Sequence, residues 1–363
     1  MSRRGFMKWL FAAFAVIAGS FYALFQLLTR VGTQPSAPPA VADVVVPMPK
    51  PEPAPAQDVK PVVSAEPLLS FFLFSDLHIS LYDPATSQKL KQALDDVTKL
   101  ESKVEAIVFT GDLTDYGTDA EYNALEAILK DYKLPPIYGN MGNHDYYRIW
   151  IDKNGGFARE TMPNGQTDAE SRARFQKMFN LSKPYSDVTI HGYHLIMMSQ
   201  ETYVQEQPDV GEGAWYSDEQ LEWLQAKLKE TKDNKPIFVM IHQPLPPEGQ
   251  DGGTHRVIRA KAFREILKPY PNVFVFSGHT HQDFENGSSH YSKESFHWFV
   301  NSSVGRTSNR SFQQEAKDKT QGLYVQVYED RVVLRGREFS QKSFITAADW
   351  TIPLERAKVE GRN

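Results

Sequence analysis

Five apolar runs in this chain each end in a cluster of carboxylate, amide or imidazole side chains. They are "LLSFFLFSDLH", "VEAIVFTGDLTD", "PPIYGNMGNHD", "KPIFVMIHQP" and "NVFVFSGHTH". Short continuous apolar runs predict strands buried on both faces, as strands of parallel sheets are. Amphipathic segments separate them. "SQKLKQALDDVTKL" sets Leu90, Leu94 and Val97 on one helical face, and "DAEYNALEAILKDY" aligns Tyr122, Leu125, Ile128, Leu129 and Tyr132. "YSDEQLEWLQAKL" opens with Ser217 and Gln220 at capping-box spacing, and "RAKAFREILKPY" reads as a further helix. Strand and helix alternate, so the expected class is α/β with largely parallel sheets. "GYHLIMMSQ" adds a strand, and "GLYVQVYEDRVVLRGREF" a closing hairpin turned at Glu329-Asp330. Residues 146–190 carry weak signals and are expected to form an insertion able to cover a site.

In open α/β sheets, ligands bind at the carboxyl ends of strands. Asp76 with His78, Asp112 with Asp115, Asn143 with His144, His242, and His279 with His281 are therefore expected to meet at one edge. Any one of these segments alone is an ordinary loop or turn. Five in order, each following a strand, are not explained that way. The sequence contains no cysteine, so any metal must be held by nitrogen and oxygen.

The ordered set "SDLH", "GDLTD", "GNHD", "MIHQP" and "SGHTH" resembles the calcineurin-like metallophosphoesterases across roughly residues 68–339. "GDLTDYG" with the following "EY" is similar to the cyclic-nucleotide phosphodiesterase-like branch. The resemblance implies an αββα sandwich of mixed, largely parallel sheets with a dinuclear metal site at the strand ends. It implies two metal ions. Asp76, His78 and His281 would bind the first, Asn143, His242 and His279 the second, and Asp112 would bridge them. Two divalent ions can share a hydroxide, lower its pKa and brace both oxygens of an in-line phosphoryl displacement. Imidazole and carboxylate ligands suit Mn, Fe or Zn. A neutral Asn143 limits negative charge where an anion must enter. The resemblance implies that His144 hydrogen-bonds or protonates the leaving-group oxygen, and Asp145 is expected to fix its tautomer and raise its basicity. For Asp115, orientation of a ligand and helix N-capping are both open.

Other residues have plainer expectations. His255 lies in "GQDGGTHR", read as a solvated loop near the site. Arg148 and Arg306 read as surface or structural arginines, and His191 and His194 as structural. Tyr146 or Tyr147 could line a pocket for a base or ring.

The N-terminus raises separate expectations. Arg3 and Arg4 precede about twenty mostly apolar residues, Trp9 to Leu28, enough as a helix to cross a bilayer. "SRRGFMK" looks like a twin-arginine export signal, so residues 1–30 are expected to be a signal or membrane anchor used by the twin-arginine translocase. Residues 31–67 hold ten of the 23 prolines and read as a linker. The catalytic domain is expected over 68–345, a tail over 346–363, and the domain outside the cytoplasmic membrane. The net charge of −5 argues against a nucleic-acid partner. The expected substrate is a small-molecule, lipid or wall phosphoester, a diester before a monoester. The alternatives are a nucleotidase or pyrophosphohydrolase of the same fold, or a binding protein that keeps the fold without the chemistry.

Overall fold

The computed structural model describes residues 66–355, apart from 153, 163, 232–233 and 315–317. The expected signal or anchor, the linker up to residue 65 and residues 356–363 lie outside the described residues. Among the described residues no helix is long and apolar enough to cross a membrane.

Two six-stranded sheets carry the fold. The first is centred on β1 (Leu69–Phe74), β2 (Ala106–Thr110) and β3 (Ile137–Asn140), joined in parallel through crossover helices α1 (Pro84–Val97) and α2 (Asp119–Lys130). The hairpin of β10 (Gln321–Val327) and β11 (Arg331–Glu338) then pairs antiparallel with β1, and β12 (Ser343–Pro353) closes the edge. Residues 346–353, expected in a tail, are thus sheet. β12 buries Ile345, Ala348 and Ile352, and its pairing with β11 slips in register between Arg335 and Arg337, which breaks the simple period of two.

The second sheet runs β5 (Tyr193–Met197), β6 (Ile237–Met240), β7 (Val273–Ser277) and β9 (His297–Val300) in parallel. β4 (Ser186–Ile190) and β8 (Tyr291–Lys293) pair antiparallel at its two edges. Both sheets are mixed, as expected, and the strands that end at the site are the parallel ones.

Side-chain alternation along the strands builds the layers. Leu69, Phe71 and Leu73 point between the sheets and pack with Leu195, Met197, Phe238, Met240, Phe274 and Phe276. Phe72 and Phe74 point the other way, onto Leu90, Leu94 and Val97 of α1 and Tyr122, Leu125 and Ile128 of α2. Across the second sheet, Ile196, Val239 and Val275 meet Leu221, Leu224 and Leu228 of α4 (Asp218–Glu230) and Phe263 and Leu267 of α5 (Ala260–Leu267). The result is helix, sheet, sheet, helix.

Two local readings change. Residues 146–190, weak in sequence signal and expected as an insertion, include helix α3 (Asp168–Phe179) and β4. α3 buries only Asp168, Ser171 and Phe175, so its apolar period was too sparse to read. Ser217 does cap α4 by accepting from Gln220 N at 3.0 Å, but the Gln220 side chain does not return to the cap. It clamps both backbone groups of Ser199 instead, at 3.0 and 2.9 Å.

Candidate metal centre

The polar strand ends meet where the carboxyl edges of the two sheets adjoin. The first sheet supplies Asp76 and His78 after β1, Asp112 after β2, and Asn143 after β3. The second supplies His242 after β6 and His279 and His281 after β7. Asp76, His78, Asp112 and His281 place one ligating atom each within 4.8 Å of one another, and so do Asp112, His242 and His279. Asp112 belongs to both sets. Asn143 joins the second through its Oδ1, 3.0 Å from His279 Nδ1.

The backbone is forced to deliver these groups. Asp76, His78, Asp112, His279 and His281 all have φ between 47° and 67°. L-residues outside glycine adopt that left-handed region at a cost of about 1–3 kcal/mol, and such residues cluster at functional sites. The neighbouring glycines are fixed by close approach. A Cβ on Gly142 would sit 2.2 Å from Asp112 Oδ1, and one on Gly278 would sit 2.5 Å from Asp76 Oδ2. The glycines of "GNHD" and "SGHTH" are therefore packing requirements of the carboxylates they lie against.

The hydrogen bonding leaves acceptors facing acceptors. His242 Nδ1 donates to the Thr110 carbonyl at 2.8 Å, so its Nε2 carries the lone pair. That buried Nε2 has no hydrogen-bond partner among the described residues, yet Asp112 Oδ2 lies 3.1 Å from it. His78 repeats the theme. Its Nδ1 is 3.3 Å from Asp115 Oδ1, and its Nε2 faces His281 Nε2 at 2.9 Å. Oriented imidazoles with inward lone pairs, gathered around buried carboxylates, fit divalent cations. Burial works against ionisation of Asp76, but His281 and His242 hold its pKa at about 2, so it presents a charged oxygen.

Around this set lies a further layer of orienting groups. Asn143 Nδ2 donates to Glu212 Oε2 at 2.9 Å and to the Tyr147 hydroxyl at 3.2 Å. Glu212 also accepts from the hydroxyls of Tyr147 (2.9 Å) and Tyr203 (2.8 Å). Because the carboxylate only accepts, the Asn143 amide nitrogen must face it, which turns Oδ1 to the site. Glu212 was missed by sequence reasoning: it lies 69 residues from Asn143. The only local signal was an acid between two glycines in "GEGAW".

His144 sits at the rim, with its side chain 25% exposed, so among the side chains of Asn143, His144 and Asp145 it alone is open to an incoming molecule. Its Nδ1 is 2.9 Å from the Asp115 carbonyl, leaving Nε2 free of that contact. Burial opposes its charge, but Asp112 and Asp115 raise its pKa to about 9. Asp115 therefore orients both His78 and His144, and α2 is capped by Thr118 rather than by Asp115. Arg306 grips both oxygens of Asp115, at 2.7 and 2.9 Å, and is structural.

Asp145 corrects the expectation. It does not fix the His144 tautomer. Its carboxylate takes the backbone N–H of Leu113, Thr114 and Gly142 and the hydroxyls of Thr114 and Tyr122. Asn143–Asp145 begin a 3-10 turn, and consecutive side chains of such a turn point in different directions. Asp145 thus ties the β2 and β3 loops together, and burial pushes its pKa up to about 6.

The remaining residues sort clearly. Exposed His255 lies near the site, its ring 5.5 Å from that of His279. Tyr147 stacks on His144 at 4.0 Å, whereas Tyr146 is fully buried and donates to the Gln200 carbonyl. His194 is buried against Asp187 at 2.7 Å, and His191 is exposed beside the β4–β5 turn.

Comparison with known proteins agrees with this geometry. Over 228 residues, 62% of this chain and 73% of that protein, the chain is 22% identical to the 3',5'-cyclic adenosine monophosphate phosphodiesterase CpdA of Haemophilus influenzae. It is 23% identical over 210 residues to the probable glycerophosphodiester phosphodiesterase GpdQ of Arcobacter nitrofigilis, covering 57% of this chain and 64% of that protein. A dimetal phosphatase from Danio rerio superposes on 80% of this chain and 100% of its own, with a TM-score of 0.55 at 15% identity, a likeness of fold. Residues 69–283 match the calcineurin-like phosphoesterase family, and with them on more than half its length the chain belongs to that family of metal-dependent phosphoester hydrolases.

Proposed function

We propose that this enzyme hydrolyses phosphodiesters, with Asp76, His78, Asp112, Asn143, His242, His279 and His281 holding two metal ions and His144 acting on the leaving group. The observation that carries the reading is Asp112, shared by both ligand sets, with the rim-exposed His144 ring against His78 at 4.5 Å. When bound, the ions would neutralise the phosphate and acidify water for attack on phosphorus.

The chain's own groups do the rest. Asp115 orients His144, so a proton on Nε2 can be given to the oxygen that leaves phosphorus. Hydrolysis adds hydroxyl to phosphorus and hydrogen to the departing alcohol, and His144 supplies that hydrogen. The named activities of the similar proteins, on cyclic adenosine monophosphate and glycerophosphodiesters, support a diester before a monoester.

The test compares bis(p-nitrophenyl) phosphate with p-nitrophenyl phosphate on enzyme supplied with Mn, Fe or Zn. The diester should turn over faster. His144→Ala should keep its metal content and lose about 10²–10⁴-fold in rate, most on substrates with poor leaving groups. Preference for the monoester would overturn the diester reading, and loss of metal in the His144 variant would overturn its assignment.

We further propose that the enzyme works outside the cytoplasmic membrane. The paired Arg3 and Arg4 ahead of the apolar segment support export by the twin-arginine route. Replacing both arginines by lysine should leave the protein in the cytoplasmic fraction. Unchanged export would remove the route.

A further inference from the structure

We propose that Arg306 is a positioning residue for the leaving-group step, its guanidinium fixing the Asp115 carboxylate between His78 and His144; this rests on the phosphoesterase reading above. Nη1 of Arg306 donates to Asp115 Oδ1 at 2.7 Å and Nη2 to Oδ2 at 2.9 Å, a fork against both oxygens. Such a fork sets the plane of the carboxylate, which a single point charge does not. The same Oδ1 lies 3.3 Å from His78 Nδ1 and 3.6 Å from His144 Nδ1. One oxygen therefore faces both the imidazole proposed to hold a metal ion and the imidazole proposed to protonate the leaving group.

Among the described residues, Arg306 makes the only side-chain contact that engages both oxygens of Asp115. Without the fork, the carboxylate could turn about its last bond and carry Oδ1 away from the two rings. His144 would then keep only its contact with the Asp115 carbonyl, at 2.9 Å.

The arginine is delivered from the other sheet. It closes the segment 301–306 that follows β9, whereas Asp115 and His144 follow β2 and β3. That segment is bound along the end of β1. Asn301 Nδ2 donates to the Leu73 carbonyl at 3.1 Å, Val304 N to that of Ser75 at 3.0 Å, and Gly305 N to that of Asp76 at 3.0 Å. Ser303 Oγ donates to the same Asp76 carbonyl at 2.9 Å and accepts from Arg306 N at 2.7 Å. Buried Lys89 of α1 donates to the Gly305 carbonyl at 3.0 Å. At the far end, Arg306 Nη2 also reaches Asp83 Oδ2 at 3.3 Å, on the residue that caps α1. The guanidinium is thus held from its own backbone outward, so it imposes a position on Asp115 rather than following one. Sequence gives no local sign of this, because Arg306 lies 191 residues from Asp115.

The test replaces Arg306 by alanine, and by lysine, which keeps the charge and loses the fork. Glycerophosphocholine has alkyl leaving groups that need a proton. On it, Arg306→Ala in the metal-loaded enzyme should lose about 10–100-fold in kcat at constant KM. On bis(p-nitrophenyl) phosphate, whose leaving group departs as an anion, the loss should be several-fold smaller. Millimolar guanidinium chloride should restore part of the alanine variant's rate where sodium chloride does not, and Arg306→Lys should fall between alanine and wild type. A second measurement needs no turnover. In metal-free protein carrying isotope-labelled histidine, the Nδ1 proton of His78, buried against Asp115, should give a slowly exchanging magnetic-resonance signal. That signal should be lost to exchange in Arg306→Ala and weakened in Arg306→Lys. Equal loss on both esters, a rise in KM alone, or a His78 signal indifferent to Arg306 would each overturn the positioning role. If the wild type cleaves neither ester while the His78 signal depends on Arg306, the phosphoesterase reading falls and the positioning stands.

Discussion

A single amide decides how the second half of the site presents itself. Asn143 can offer either its oxygen or its nitrogen to the centre, and Glu212 settles the choice by accepting from Nδ2. Replacing Glu212 by alanine frees the amide to turn, so affinity for the ion that Asn143 would help to hold should fall about 10–100-fold, a typical loss when an orienting partner is removed. Titration with Mn would measure it, and an unchanged second-site affinity would remove Glu212 from that role. The residues themselves were legible in unequal measure. Asp76, His78, Asp112, Asn143, His242, His279 and His281 could be read because each follows a strand with its own local pattern. Glu212, Tyr203 and the Thr110 carbonyl could not, because their partners are brought near only by the tertiary fold. Asp145 misled for the opposite reason: adjacency to His144 in sequence is not adjacency of side chains on a tight turn.

Among the elements, α2 carries an unusual strain. Glu121 completes a capping box with Thr118, its Oε2 accepting from the Thr118 and Tyr116 backbone at 3.1 Å each. The residue is 1% exposed and its Oε1 has no partner among the described residues. Burial therefore pushes its pKa from 4.5 up to about 7. Folded Glu121 keeps its proton where an unfolded glutamate has lost it, so between pH 4.5 and 7 the unfolded state binds fewer protons. Stability then falls as pH rises through that window, by about 3 kcal/mol from this group. Glu121→Gln should flatten the difference, read as urea midpoints at the two ends of the window; parallel curves for both proteins would refute the account. Strand elements were the most legible, since each of the five apolar runs became one. α3 was lost because it packs one aromatic residue, Phe175, among small and polar ones. β12 was not read as a strand because its buried residues, Ile345, Ala348 and Ile352, fall three and four apart rather than two.

The described residues form two sheets, and the proposed ligands are divided between them. Four come from the first sheet and three from the second. Bound ions would therefore fasten one sheet to the other. An ion at about 100 times its Kd adds about 2.7 kcal/mol to stability, or roughly 5–10 °C in Tm for a domain of this size. Chelation followed by a thermal scan measures this, and an unaltered Tm would mean the ions contribute nothing to the join. Asp112 gives the division a further consequence. It hangs from β2 while its Oδ2 reaches His242 on the far side, so neither sheet owns a complete set of donors. A gene fragment encoding either half alone would make a poor chelator. Only a chain whose two halves have already docked can be charged, and metal content becomes a direct report that folding has finished.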